Sequence, residues 1–452
     1  MSPLPIHSGR FSTLLLGLFA FGLGSCASYP ARTQAALTAF QRGHLERALA
    51  QYEDPEVTGS TFLGGAEAGT VALAMGDWEL AKEHFHLAVD ASEDVHGRGA
   101  LESSNFLETV TSFGLNDTTQ SYGGEGFERV YLHACLALSY LALGDLDGVW
   151  VEVQRGNQIL EGEEELYEKK YQAGGFGHLI SAVAYELLGS LDQAYIDYAR
   201  MESKGVGTEL AGKALVRIAT QLNREDQLSN WEERYGPDPE RPEGAANVVV
   251  LAGVGLGPFK AESSLAVPTN DGFLTMAVPT YLMHGQQVNA LRLTENDSGQ
   301  GVRTVVVEHV SSVAQENLGD RLALIAAKSI GRGILKRELT KHLEDEYGGG
   351  GRLVGDLFSL ITERADLRAW QTLPDTWQAA RLFVAPGIHS FGLEAIGGAY
   401  VDLGTFELDP GETMVVIARS VGPELYAHPI GGRPIGESLS SVDPGGEATT
   451  AP

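Results

Sequence analysis

One spacing constrains the first half of this 452-residue chain more than any other feature. Gly43-x4-Ala48-x3-Tyr52 recurs as Gly76-x4-Ala81-x3-Phe85, 33 residues further on. Gly144 follows 68 residues later, close to twice that interval, and Gly189-x4-Ala194-x3-Tyr198 repeats the pattern again. Ahead of these glycines, at 36–42, 66–74, 130–143 and 178–188, apolar residues fall at helical spacing. A second amphipathic run follows each turn. The reading is a series of helix pairs. Glycine ends the first helix, a small residue lets the second approach, and an aromatic fills the gap to the next pair. A fixed period of this kind marks stacked supersecondary units.

The pattern resembles the tetratricopeptide repeat, a helical hairpin of about 34 residues. Leu136, Ala137 and Tyr140 before Gly144, and Ala182 and Tyr185 before Gly189, match its first helix. Gly76-Asp77-Trp78 and Gly144-Asp145-Leu146 are similar to its interhelix turn. Val149 and Val153 depart from it, residues 102–126 lack it, residues 161–177 read as an insertion, and 206–235 as a degenerate hairpin. The resemblance implies a superhelix whose concave surface holds a peptide or partner helix. The first-helix residues expected to face that groove are Tyr131, Leu138, Phe176, Leu179, Val183 and Glu186.

Three prolines between Gly236 and Pro242 exclude helix and mark a linker over 236–244. Beyond it the hydrophobic period changes. Residues 247–251, 288–293 and 302–309 read as strands, 311–347 and 353–364 as mainly helical, with Gly331 and Gly333 as a break or a close contact. Residues 381–384, 389–395, 400–408 and 413–420 read as further strands. Ala385-Pro386-Gly387-Ile388 and Asp409-Pro410-Gly411-Glu412 carry proline and glycine where a type II turn needs them. Their spacing suggests an antiparallel meander. The expected fold is therefore α+β in two domains. An all-α helical-hairpin solenoid at 26–235 precedes an α+β domain with antiparallel strands at 245–430, and a Gly/Ser/Pro-rich disordered tail fills 431–452.

An apolar run from Phe11 to Leu23 follows Arg10 and ends in Leu23-Gly24-Ser25-Cys26. It is shorter than the roughly 20 residues a membrane-spanning helix needs and fits the core of a secretory signal peptide at 1–25. The small-small-Cys ending resembles the bacterial lipobox, which implies acylation of Cys26 and attachment to a membrane through lipid chains. Ala27, rather than an aspartate, follows it, which implies the periplasmic face of an outer membrane. The only other cysteine, Cys135, lies in an apolar helical run and reads as a small buried hydrophobe. Against 32 Lys and Arg stand 60 Asp and Glu, a formal charge of −28. Such a surface repels nucleic acid and anionic headgroups; a neutral or basic envelope protein or peptide is the compatible partner.

Chemical motifs are few. Gly207-Thr208-Glu209-Leu210-Ala211-Gly212-Lys213 imitates a phosphate-binding loop, but Ala214 replaces the Ser/Thr and a helix, not a strand, precedes it. Gly253-Val254-Gly255-Leu256-Gly257 has the wrong glycine spacing for a dinucleotide site and is followed by Pro258. His84 and His86 are two apart and diverge on a helix. No metal motif or nucleophile elbow is present, so no cofactor, metal or catalytic set is assigned. His309, His389 and Asp375 are left as residues that only folding could bring together. The segments Trp370-Gln371-Thr372-Leu373-Pro374-Asp375, Ala380-Arg381-Leu382 and Pro386-Gly387-Ile388-His389 resemble the C-terminal signature of an uncharacterised family of bacterial lipoproteins with helical-repeat N-terminal halves. Phe127-Glu128-Arg129-Val130, with Glu152 and Arg155, is similar to the same family. That resemblance implies architecture and no activity. The expectation is a membrane-anchored protein-binding scaffold of the cell envelope, of the kind that serves envelope assembly. The alternative is an envelope hydrolase with its site in the α+β domain.

Overall fold

Glycine-aspartate turns set the geometry of the first half. The structure is a computed structural model that describes residues 28–102, 121–167, 170–269, 272–321 and 365–435. Cys26 and its leader, Gly331, Gly333, the helix expected at 353–364 and positions 436–452 lie outside them. The helices are α1 (Tyr29–Gln41), α2 (Leu45–Tyr52), α3 (Pro55–Thr58), α4 (Thr61–Met75), α5 (Trp78–Glu102), α6 (Gly126–Ala142), α7 (Leu146–Leu166), α8 (Gly175–Leu187), α9 (Leu191–Lys204), α10 (Thr208–Gln221) and α11 (Glu225–Tyr235). Gly76 and Gly144, at φ +77° and +75°, end α4 and α6 in the left-handed region that glycine enters without strain. The next residue starts the second helix. Asp77 Oδ1 accepts from the Leu80 amide at 3.1 Å, and Asp145 Oδ1 from that of Gly148 at 2.9 Å. Within each pair the spacing residues do as expected: Ala48, Ala81 and Ala194 and the aromatics Tyr52, Phe85 and Tyr198 are fully buried. A Cβ on Gly69 of α4 would stand 2.5 Å from the Phe85 ring, so glycine there sets the helix separation. The segment 206–235 is a further helix pair, α10 and α11. Much of the insertion read at 161–177 is taken up by the last turn of α7 and the start of α8.

The strands are β1 (Ala246–Val254), β2 (Phe259–Thr269), β3 (Gly272–Leu282), β4 (Leu291–Glu295), β5 (Gly301–Arg303), β6 (Val305–His309), β7 (Thr376–Val384), β8 (Gly387–Ala395), β9 (Tyr400–Leu408), β10 (Thr413–Val421), β11 (Glu424–Ile430) and β12 (Arg433–Ile435). They form an inner sheet, ordered β11-β10-β1-β7-β6, an outer sheet, ordered β12-β9-β8-β4-β5, and a β2-β3 hairpin. The inner sheet is mixed: β1 runs parallel to β10 and antiparallel to β7. The expected meander is corrected here. The proline-glycine turns at 386–387 and 410–411 are corners at which the chain crosses from one sheet to the other and back. The glycine-rich turn at 397–398 makes the β8-β9 hairpin instead. The second corner is a hydrogen-bonded turn, with the Glu412 amide donating to the Asp409 carbonyl at 3.0 Å. The tail expected to be disordered from 431 begins as β12, paired to β9.

Strand β1 is buried along its whole length. Val248, Val250 and Val254 pack between the two sheets with Leu293, Phe391 and Met414. Val249 and Leu251 point the other way, into a cluster with Phe62, Tyr131 and Phe176 from the helices. The molecule is thus layered: helices, inner sheet, outer sheet. The helical half and the sheet half share one core.

Three buried carboxylates join these halves through backbone amides. Glu67 of α4 accepts from the amides of Gln371 (2.8 Å) and Thr372 (2.9 Å) and from the Tyr29 hydroxyl (2.9 Å). Glu128 of α6 accepts from the Trp370 amide at 2.8 Å and the Tyr122 hydroxyl at 2.7 Å. Glu308 of β6 reaches the opposite way. It accepts from the Gly174 and Phe176 amides at the start of α8, both at 2.9 Å, and from the Tyr131 hydroxyl. Burial pushes the Glu67 carboxyl up to about 7, against the pull of its donors, and also raises Glu128 and Glu308. The folded state therefore keeps a proton that an unfolded chain has already released. This contribution is complete below about pH 4.5 and is lost as pH rises through 7. Urea unfolding between pH 5 and pH 8 should show stability falling with pH. Glu67→Gln should flatten that slope by up to about 1.4 kcal/mol per pH unit; an unchanged slope would contradict the assignment.

Candidate functional site

The six residues expected to line a partner groove are all drawn into the interface with the chain's own sheet or into the helix core. Tyr131, Leu138, Phe176, Leu179 and Val183 are buried. The Phe176 ring stacks on Trp377 of β7, centroids 4.0 Å apart and planes 9° from parallel. Tyr131 donates to Glu308 at 2.9 Å. The segment 369–375 crosses the inner helical surface as irregular chain with a turn at 371–372, with Trp370 buried beside Phe85 and its indole nitrogen donating to the hydroxyls of Thr70 and Thr372. The groove reading is therefore corrected. An inner sheet that is apolar on both faces needs two covers; the outer sheet supplies one and the first helices of the pairs supply the other. The uninterrupted apolar run of β1 is the sequence signal for this, because a strand with one solvated face alternates.

Glu186 of α8 carries the ionic part of the interface. Arg381 of β7 binds it with both terminal nitrogens, at 2.7 and 2.9 Å, and Arg217 of α10 adds a second fork at 2.9 Å. The Tyr198 hydroxyl donates to it at 2.6 Å. Burial pushes the Glu186 carboxyl up, but the two guanidinium groups outweigh that and hold it at about 2. Arg381 also donates to Asn247 of β1 at 3.0 Å. Arg381, from the segment Ala380-Arg381-Leu382, thus bolts the sheet to two helix pairs, while Ala380 and Leu382 pack between the sheets.

The remaining look-alikes do not assemble. Gly207 precedes α10 and follows a helix, so the phosphate-loop imitation has no strand feeding it; Lys213 lies on the exposed face of α10, 2.7 Å from Glu209. Gly255 makes the turn after β1, and β2 rather than a helix follows. His84 contacts Glu53 and His86 contacts the Tyr140 hydroxyl. Asp375 accepts from Ser311 and lies next to the end of the β6-β7 ladder, where the exposed His309 pairs with Thr376, but His389 meets Glu295 and the Ala385 carbonyl in the outer sheet, so the three do not converge. Among the described residues no group of three or more His, Cys, Asp or Glu could hold a metal ion.

Two features were not anticipated from the sequence. The first is a buried His-acid pair, joined by a half-exposed arginine, repeated in successive helix pairs. His133 meets Glu152 at 2.7 Å, and Arg155 binds the same carboxylate at 3.1 Å. His178 meets Asp197 at 3.0 Å, and Arg200 binds it at 3.3 Å. All three members shift by 45 residues, the same step as from Gly144 to Gly189. The pattern His-x18-acid-x2-Arg was readable, but tetratricopeptide-like positions drew attention to small and aromatic residues instead. The second is an open cleft of about 310 Å³ outside the Glu186 cluster, bounded by α10, the proline-rich segment 235–241, β5, β6 and β7.

No family model matches the sequence, and no curated protein matches it. The Glu186 cluster gives the interface a test of its own. Glu186→Gln should cost about 3–5 kcal/mol at pH 7, as for a broken buried ion pair. The deficit should shrink as pH falls through the acid range toward 2, because the native carboxylate is then protonated as well. Chemical denaturation at pH 7 and pH 3 measures both, and a deficit independent of pH would contradict the ion-pair account.

Proposed function

We propose that this chain is a bacterial envelope lipoprotein, tethered through Cys26 to the periplasmic face of the outer membrane, that works as a non-enzymatic protein-binding scaffold built on a tetratricopeptide-like solenoid. The repeat reading is supported by the glycine-aspartate turns, the buried Ala and aromatic positions and the His-acid-Arg trio that recurs at the repeat step. It also agrees with the resemblance to repeat-containing lipoproteins. No helix among the described residues is long and apolar enough to cross a membrane, so attachment in this reading falls to the acylated cysteine.

The observation that carries the scaffold reading is where the helices leave large apolar side chains in water. Contacts to the strands come from first helices such as α4, α8 and α10. The second helices of the pairs expose Leu87, Trp150, Val151 and Ile196, and the C-terminal end of α8 exposes Leu187 and its cap Leu188. Trp150 is 49% and Leu188 58% exposed, on a chain whose inner groove is already filled. Exposed aromatic and aliphatic anchors are the usual centres of protein contacts. The partner surface is accordingly placed on the outward helices, and the surrounding negative charge favours a neutral or basic protein.

Two measurements test this. Cys26→Ser should move the protein from the membrane fraction to the soluble periplasm; continued membrane retention would remove the acyl tether. A photo-crosslinking residue at 150 or 196 should give discrete protein adducts in intact cells, and one at the buried position 138 should give none. Equal labelling at all three positions would remove the outward surface.

A further inference from the structure

The chain is strongly acidic, yet the cleft beside α10 inverts that sign. Lys213, Arg217, Arg241, Arg303 and Arg381 line it, against Glu209 and Asp238, with Glu186 behind it holding Arg217 and Arg381. Its floor is β7, its walls are α10 and the segment 235–241, and its lip is β5. Its volume of about 310 Å³ lies at the lower end of small-ligand sites.

Three details separate this cleft from a chance gathering of surface arginines. Arg241 lies flat on Phe383, its guanidinium 4.1 Å from the ring centroid, and both terminal nitrogens are tied to Asp238. Its Nε is buried with no hydrogen-bond partner. Arg303 has no ion-pair partner among the described residues and stands directly opposite Arg292 across the β4-β5 pair. Arg292 is faced by Glu394 of β8 on its other side, which leaves Arg303 the unpaired end of that row among the described residues. Finally, the cleft is not uniformly polar. Leu210, Ala214, Val302, Val305 and Phe383 give it an apolar wall next to these cations.

We propose that this cleft binds a small amphipathic anion, with a carboxylate or phosphate head held by Arg303, Arg241 and Lys213 and an apolar body against Phe383, Leu210 and Val305. Guanidinium forks suit both kinds of head. At the roughly 30 Å³ that a water-sized group occupies, the volume holds about ten such groups. That is a head with a medium-length alkyl chain or a single ring, and not a full diacyl lipid. The site is separate from the outward surfaces of α5, α7 and α9, and it stands or falls independently of the scaffold reading.

Isothermal titration of the full chain from residue 26, unacylated, with four probes tests the proposal. Octyl phosphate and octanoate should each bind at least tenfold more tightly than inorganic phosphate or octyltrimethylammonium. The better of the two octyl anions identifies the head as phosphate or carboxylate. Binding should weaken in 0.5 M salt, because the cations of the lip are open to solvent. Arg303→Glu and Lys213→Glu alter exposed side chains, so the fold should persist, checked by an unchanged urea midpoint. Each should lower the affinity for the octyl anions by about tenfold. Octyltrimethylammonium binding as tightly as octanoate would overturn the anion preference. Inorganic phosphate matching octyl phosphate would overturn the amphipathic part, and unchanged affinity in both charge variants would overturn the site.

Discussion

Carboxylates that hold backbone amides across the interface are what the rest of this structure depends on. Glu67, Glu128 and Glu308 have no ion-pair partner among the described residues. Each is buried and closes on amides from the other half of the molecule. A hydrogen bond to a charged acceptor contributes about 1.5–3 kcal/mol, while burial of an uncompensated charge costs far more. Raised proton affinity is the compromise between these terms. From the sheet half, Glu67 and Glu128 collect the amides of three consecutive residues, Trp370, Gln371 and Thr372, so the segment is held by its backbone. Its indole then settles in the helical core. Peptide capture by a helical groove happens here within one chain.

The Glu186 cluster works by the opposite balance. Two guanidinium groups converge on one carboxylate, and their attraction exceeds the cost of burial. Amide-bonded and ion-paired carboxylates therefore coexist on one interface, the first near Trp370 and the second near the far end of β7. Between them the Phe176–Trp377 stack supplies apolar contact. An interface with directional bonds at both ends and aromatic packing in the middle fixes the angle between helices and sheet. This explains why a groove residue such as Tyr131 makes its hydrogen bond to a strand and is closed to outside partners.

Much of the helical half was legible because its determinants are local. Gly76 and Asp77 encode a helix end and a helix start in adjacent residues, and Ala81 and Phe85 encode the separation between helices. The strands from β8 to β10 were legible for the same reason. The sheet connections were not. Pro386 and Pro410 announce turns, but a turn signal does not say whether the chain returns beside itself or passes to a second sheet. The β2-β3 hairpin was missed because Ser263, Ser264, Pro268 and Pro279 dilute its strand pattern; prolines are tolerated there because, among the described residues, the pair has no further neighbour strand. The filling of the groove was hidden for a different reason. It joins residues such as Glu67 and Gln371, which lie 304 positions apart, and no short motif encodes such a pairing. The cleft arginines were likewise scattered over α10, the proline-rich segment and two strands.

The place of β1 in the inner sheet has a consequence for how the protein is made. Its two neighbours, β7 and β10, begin only at Thr376 and Thr413. A chain delivered from its N-terminus has by then already formed paired helices with bare, sticky inner flanks and a valine-rich strand with nothing beside it. Long-range closures of this kind are slow. Until residue 421 emerges, this protein is a half-built vessel whose inside must be kept from its neighbours.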